Sequence, residues 1–376
     1  MHLSRRRFLK LSSKALTVGL YAQAFGASSN QFIEDGASEK KEEIDKRQKA
    51  KHVLTFASPY DTNNWRFSPH MHQELKTNIE SFTQGLVFVD IQDKGVRGVG
   101  TELTAQVSRG ELAGALISVS NLSPAATELD ILNIPYWSAD NQAYLNLVTS
   151  NLWQSTIVDK IHAQQRIEIL FHYLPGPRTV TTTRLYNKVI KTPSDIKGVV
   201  FRTPSSRVLK VFYDLLQAHA VQVKWGDTSK LAQRGRFEAL DPGIIGLYNG
   251  PNNLNRHLGT VSLIDSVHDG WVAVISQQWM ASLPVSLRLA VRDAAAQTFV
   301  QHIDELGTVT KRCTGGLKQL GTRIYQPTEQ ELDLWQIAAG YQHPRWSAVK
   351  REILGDERLF YEFLTATKEN NGFYYR

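Results

Sequence analysis

Arg202 closes an apolar stretch, Val199-Val200-Phe201, and is followed by Thr203-Pro204. At a strand end facing a cleft, a guanidinium can hold a carboxylate through two parallel hydrogen bonds. Arg178 stands just after Pro175-Gly176-Pro177 and before Thr181-Thr182-Thr183. Position alone leaves a surface ion pair as good a reading for Arg202 and a better one for Arg178. Tyr60, Asn64 and Trp65 follow the first strand, and His172, Tyr173, Tyr248 and His268 stand at other strand ends. Their rings can pack on the carbon skeleton of a small ligand, although core packing accounts for aromatics equally well.

No enzyme signature accompanies these residues. The chain has no G-x-S-x-G nucleophile elbow, no H-E-x-x-H, no P-loop and no C-x-x-C. Gly95-Val96-Arg97-Gly98-Val99-Gly100 has the spacing G-x-x-G-x-G and reads as a strand-to-helix turn, not as the dinucleotide fingerprint. His70 and His72 fall on different faces of a helix and cannot share a metal, so both read as exposed helix positions.

Hydrophobic periodicity supplies the scaffold. Residues 53–57, 86–91 and 113–119 read as strands, separated by a helix with Met71, Leu75, Ile79 and Phe82 on one face and by a second helix closed at Gly110. This β-α-β-α-β order with apolar strands predicts a mostly parallel sheet flanked by helices. A helical region over 141–165 leads to a strand at 167–172, and Pro175-Gly176-Pro177 marks the crossing into a second lobe. There, 180–183, 199–202 and 221–224 read as strands and 205–218 as a helix, with Asp227 as the N-cap of another. Residues 261–275 read as extended. A long helix runs from about Pro284 toward Arg312, and Thr328 to Glu331 has capping-box spacing. The expected fold class is α/β: a two-lobed clamshell with a long helix spanning the lobes and a C-terminal helical extension. Lobe I is expected over 52–175 and about 268–305, and lobe II with the C-terminal helices over 176–267 and about 306–376.

The first residues carry an address. Ser4-Arg5-Arg6-Arg7-Phe8-Leu9-Lys10 is a twin-arginine sequence followed by an apolar run to Phe25, with Ala22-Gln23-Ala24 as a small-residue cleavage site. The run is interrupted by Ser12, Ser13 and Lys14 and falls short of the ~20 residues of a membrane span. A signal peptide over 1–24, export to the periplasm and a polar, charged spacer over 25–51 are therefore expected. The whole chain has 43 Lys+Arg against 36 Asp+Glu, but five of the basic residues lie in the first 24. What remains is 38 against 36, so the basic balance belongs to the address and implies no nucleic-acid partner. The single cysteine, Cys313, excludes an intramolecular disulfide.

From His52 to about Leu306 the order of features resembles the DctP-type binding proteins of tripartite ATP-independent periplasmic (TRAP) transporters. Lys191-Thr192-Pro193-Ser194-Asp195-Ile196-Lys197-Gly198-Val199-Val200-Phe201-Arg202-Thr203-Pro204 is similar to that family's k-T-P-x-D-l-K-G-l-k-i-R-x-P segment. Gly176-Pro177-Arg178 with Thr181-Thr182-Thr183 resembles G-f-R-x-i-t-t, and Val274-Ile275-Ser276 with Trp279, Leu283 and Pro284 resembles v-i-S-x-x-w-x-x-L-P. The resemblance implies a periplasmic-binding-protein-like fold and no catalysis. It implies a small organic acid, a carboxylate or dicarboxylate, held by the arginine matching Arg202 with help from the one matching Arg178. It also implies delivery of that acid to the membrane subunits of a TRAP permease. Where some members hold a metal ion beside the ligand, this chain has Leu240-Asp241-Pro242-Gly243, so Asp241 is a candidate ligand of a Ca or Na ion, or a turn aspartate. The set expected at the ligand is thus Arg202, Arg178, Asp241, Tyr60, Trp65, His172 and Tyr248. An exported enzyme acting on a carboxylate, and a sensory protein presenting its ligand to a receptor, are the competing functions.

Overall fold

The computed structural model describes residues 41–62, 71–138 and 140–375, so the expected signal peptide, Trp65 and His70 lie outside the described residues. Residues 41–49 of the expected spacer are helical, with Glu42 and Lys46 paired at 2.9 Å one turn apart.

Lobe I is built on β1 (His52–Ala57), β2 (Val87–Gln92), β3 (Gly114–Ser118), β4 (Ile167–Tyr173) and, late in the chain, β10 (Trp271–Ser276), in the order β2-β1-β3-β10-β4. β1 pairs in parallel with β2 and β3, as the crossovers through α1 (Met71–Phe82) and α2 (Thr101–Ser108) require. β10 returns antiparallel between β3 and β4, a direction that periodicity cannot report. Every residue of β3 and β10 is buried, as expected for central strands covered on both faces. Gly114 is the small residue this packing needs, because a β-carbon there would stand 2.9 Å from the Phe56 ring and from the Val274 carbonyl. α1 buries Met71, His72, Leu75 and Ile79. His72 is therefore not an exposed helix position: three residues before Leu75, it lies on the core-facing stripe, its ring edge-on to Phe56 at 6.1 Å.

Past β3 come the four-residue α3 (Val119–Leu122), a turn over Thr127–Asn133 and α4 (Asn141–Val148). The helical region expected over 141–165 is broken, its middle passing through a π-helical turn at Gln154–Val158.

Lobe II carries β5 (Val180–Thr183), β6 (Val200–Thr203), β7 (His219–Gln222), β8 (Ala239–Leu240), β9 (Leu258–Ser262) and β11 (Arg323–Tyr325), in the order β11-β9-β5-β8-β6-β7. Its helices include α5 (Arg207–Leu215) and α6 (Ile244–Tyr248). β7 starts and stops two residues earlier than its apolar run suggests, and the Val223 carbonyl just beyond it receives the Arg202 guanidinium. Asp227 makes no side-chain cap; the Thr228 hydroxyl instead donates to the Trp225 carbonyl at 2.7 Å.

The chain crosses between lobes at 174–179, at 263–270 and along α7 (Val285–Gln319). This 35-residue helix packs against α1 and β4 in lobe I and against α6 and β11 in lobe II. At 1.5 Å per residue it is roughly 52 Å long, enough to brace both lobes. α8 (Glu329–Ala339) has the expected capping box on Thr328 and docks on lobe II, where Trp335 Nε1 donates to the Lys191 carbonyl. α9 (Arg345–Leu354) and α10 (Glu357–Ala366) differ from expectation: they pack on Thr127–Asn133, α4 and Asn151–Trp153, so the C-terminal segment returns to lobe I. An apolar stripe such as Phe360, Phe363 and Ala366 announces burial without saying against which lobe. Among the described residues, no helix is long and apolar enough to cross a membrane.

Candidate functional site

The two non-helical crossings meet around Arg178. Gly176 has φ +99, which lets the chain turn sharply between Pro175 and Pro177. The crossings then form two isolated bridges, Pro177 with His268 and Arg178 with Gly243. The Arg178 amide donates to the Val267 carbonyl and the Asp269 amide to the Gly176 carbonyl. The Arg178 side chain, 3% exposed, reaches three parts of the molecule. Its Nη1 is 3.2 Å from Asp241 Oδ1 at the end of β8, and its Nη2 is 2.8 Å from Asp269 Oδ1 in the second crossing. The same Nη2 donates to Ser120 Oγ of α3 in lobe I at 3.1 Å. Burial opposes the charge of Arg178, but Asp269 and Asp241 outweigh it and hold its pKa above the ordinary arginine value.

Arg202 is equally buried and differently supplied. Its Nε and Nη2 donate to one acceptor, the Val223 carbonyl, at 3.1 and 2.9 Å, and its guanidinium carbon lies 5.4 Å from the centre of the Trp225 ring. Among the described residues no carboxylate forms an ion pair with it. Burial pushes its pKa down to about 10; the more distant Asp241 and Asp269 only partly offset that, and Arg178 adds repulsion. A buried cation with no ion partner is the costly arrangement in a protein interior, and a bound anion relieves it.

Several buried polar atoms around these arginines make no hydrogen bond: Arg178 Nε, Asp241 Oδ1, Trp225 Nε1 and the hydroxyls of Tyr60 and Tyr144. The Tyr60 ring leans on Trp271 at 5.1 Å, and Tyr144 on His268 at 4.7 Å. The Tyr60 hydroxyl and Asp269 Oδ2 flank Gly246, 3.7 and 3.6 Å from where a β-carbon would sit. Burial keeps both phenols protonated, raising their pKa values, and the charge of Asp269 adds to it.

Of the residues singled out in the sequence, Arg178, Arg202, Asp241 and Tyr60 thus gather at the junction. Tyr248 and His172 do not. Tyr248 sits on α6 with its ring over Gly316 of α7, where a β-carbon would come within 3.0 Å of three ring and hydroxyl atoms. His172 faces Trp153, whose Nε1 donates to its Nε2 at 3.0 Å, and burial pushes its pKa down to about 3. It lines a separate cavity of about 890 Å³ with Ser150, Glu168, Arg292, Asn371 and Phe373. Sequence reasoning missed Asp269, Ser120, Tyr213, Tyr144 and Trp225. Asp269 was detectable in principle, because a carboxylate in the apolar stretch 261–275 demands a buried partner.

A metal ion fits the residues present poorly. Arg178 fixes a positive charge 3.2 Å from Asp241, and Tyr213 donates to the other carboxylate oxygen at 3.4 Å. Among the described residues no group of three or more His, Cys, Asp or Glu side chains stands at metal-binding spacing.

Two further contacts join the lobes. Asp130 accepts from Ser206 Oγ at 2.6 Å and from the Val208 amide at 3.0 Å, so its buried carboxylate rests on the N-terminus of α5. At the surface, Lys224 Nζ lies 2.6 Å from Glu102.

Known proteins share this sequence pattern and this fold. The DctP family, described as bacterial extracellular solute-binding protein, family 7, matches residues 70–347. The C4-dicarboxylate-binding protein DctB of Bacillus subtilis (strain 168) is 23% identical over 203 residues, and the match spans 54% of each chain, so about half the length of this relative. Among solved structures, the sugar acid binding protein DctPAm from Advenella mimigardefordensis strain DPN7T, in complex with galactonate, superposes with a TM-score of 0.77 at 15% identity. That match covers 85% of this chain and 98% of the other. A TRAP periplasmic solute-binding protein from Sulfurospirillum deleyianum DSM 6946 with bound succinate gives a TM-score of 0.74 at 15% identity, covering 85% and 99%. The chain belongs to the DctP family, family 7 of the bacterial extracellular solute-binding proteins.

Proposed function

We propose that this protein captures a small organic acid between its lobes in the periplasm, after twin-arginine export, and delivers it to a TRAP-type permease. One observation carries the reading: Arg202 is a buried guanidinium whose described partners are a carbonyl oxygen and an indole ring, with no carboxylate. A ligand carboxylate supplies the missing charge through the donors that Val223 leaves over. The crossings around Arg178, with Ser120 on one lobe and Asp241 on the other, are the place where ligand contact favours closure, since contact with both lobes exists only in the closed state. Relatives crystallised with galactonate and with succinate are consistent with an organic acid.

Thermal unfolding against a panel of mono- and dicarboxylates, keto acids and sugar acids tests the reading. A ligand at ~100 times its Kd adds roughly 2.7 kcal/mol of stability. A shift with one carboxylate class, absent in Arg202→Ala, is expected; recovery of that ligand as a chemically altered product would overturn the binding-protein reading.

A further inference from the structure

Resting on that carboxylate reading, we propose that Asp130 is a positioning residue for closure: a latch that ties the turn carrying Arg202 to lobe I without touching the ligand. Its carboxylate is 5% exposed and reaches across the lobes to the first turn of α5. The Ser206 hydroxyl donates to Oδ1 at 2.6 Å and the Val208 amide to Oδ2 at 3.0 Å. Ser206 also caps its own helix, accepting from the Leu209 amide at 3.0 Å. The N–H groups that open α5 are thus shared between a cap from its own lobe and a carboxylate from the other. Ser206 follows Arg202 after only Thr203, Pro204 and Ser205. The ligand anchor and the latch therefore hold the same β6–α5 turn.

On its other side the latch is joined to the hinge by a chain of hydrogen bonds. Arg178 Nη2 donates to Ser120 Oγ at 3.1 Å, and Ser120 Oγ to Asn133 Oδ1 at 3.3 Å. Asn133 Nδ2 then donates to Asp130 Oδ1 at 2.8 Å. Every side chain in this series, through Ser206, is buried. The earlier links run from the crossing through lobe I, so parting the lobes breaks the chain at one place, between Asp130 and α5. In the open state water serves the Ser206 hydroxyl and the Val208 amide. In the closed state both are buried, and without their acceptor each is left unsatisfied. Loss of Asp130 therefore penalises the closed state alone. Because the ligand is held in that state, affinity falls by one common factor, whatever the ligand.

Titration calorimetry of the full chain with the acids of the panel above, succinate and galactonate among them, tests the proposal alongside urea unfolding without ligand. In Asp130→Ala, affinity for each acid that the wild type binds is expected to fall ~10-fold, by the same factor for all. The urea midpoint without ligand is expected to stay where it is. Asp130→Asn keeps an acceptor for the Val208 amide and is expected to bind within ~3-fold of the wild type. Ser206→Asp keeps a good cap on α5 but sets a second carboxylate against Asp130, and affinity is expected to fall at least ~10-fold. This variant stands on the other lobe, so a failure of Asp130→Ala to fold does not protect the proposal. Wild-type affinity in either folded variant, with Arg202→Ala still abolishing binding, overturns the inference and leaves the carboxylate reading standing. A factor that differs among the acids puts Asp130 at the ligand and overturns it too. No binding of any acid by the wild type overturns the carboxylate reading and this inference together.

Discussion

Arg178 and Arg202 are both 3% exposed, and their surroundings could hardly differ more. The hinge arginine has two carboxylates and a serine hydroxyl spread over both lobes and a crossing. The strand-end arginine has one carbonyl oxygen and an indole face. Both match arginines that the family resemblance ties to the ligand, yet their partners divide the work. Arg178 holds the crossings together, and Arg202 has no carboxylate partner among the described residues.

The largest effect that can break this contrast is on stability. Removing the Arg178 charge strands two buried carboxylates, so Arg178→Met is expected to lower the unfolding free energy by about 3–5 kcal/mol in urea titrations without ligand. Arg202→Lys leaves only the Val223 carbonyl less well served, a loss of about 1 kcal/mol. Equal losses in the two variants would mean that both arginines are structural.

Affinity should reverse the ranking. An ammonium cannot reproduce the two parallel hydrogen bonds of a guanidinium, so Arg202→Lys is expected to weaken binding of the preferred acid about 30–100-fold with the fold intact. Unchanged affinity in calorimetry would remove Arg202 from the ligand and collapse the distinction.

The sequence made Arg202 legible because it sits in a motif, at the end of an apolar strand, before a proline. The clamshell was legible because its first three strands and two crossovers follow each other without interruption. Partner choice was not. Asp269 belongs to a crossing with no periodicity, and Ser120 lies in a helix of four residues, so neither announces that it meets Arg178. His172 was misleading for a geometric reason. Alternation along β4 sends His172 to Trp153 and its neighbour Tyr173 to His302, so a ring at a strand end faces one wall or the other by a single step of register. The same limit hid the return of α9 and α10 to lobe I.

That separation of walls can be measured through pH. Burial lowers the pKa of His172 to about 3 and of His268 to about 4, so both are neutral in the fold. A base held below its unfolded value stabilises fully above about pH 6.5, and that stability is lost as pH falls toward the folded value. At pH 5 each histidine is expected to remove about 2 kcal/mol. In His172→Gln, the fall in unfolding free energy between pH 7 and pH 5 should shrink by that amount, while ligand affinity at pH 7 stays as in the wild type. A loss of affinity would bring the β4 wall into the ligand site and break the separation.

The smallest expected effect concerns the exposed link between the lobes. Lys224 and Glu102 approach to 2.6 Å, but both side chains are about half or more exposed, and water and salt screen such pairs heavily. Asp130 differs: its carboxylate is buried on the first turn of α5 and takes two hydrogen bonds from lobe II. If buried contacts set the balance between open and closed, Glu102→Gln should change ligand affinity by less than about 3-fold, whatever the salt concentration. A larger change that fades between low and physiological ionic strength would show that surface charge also holds the lobes together. Arg178 would then share the task of closure with a pair that solvent can switch off.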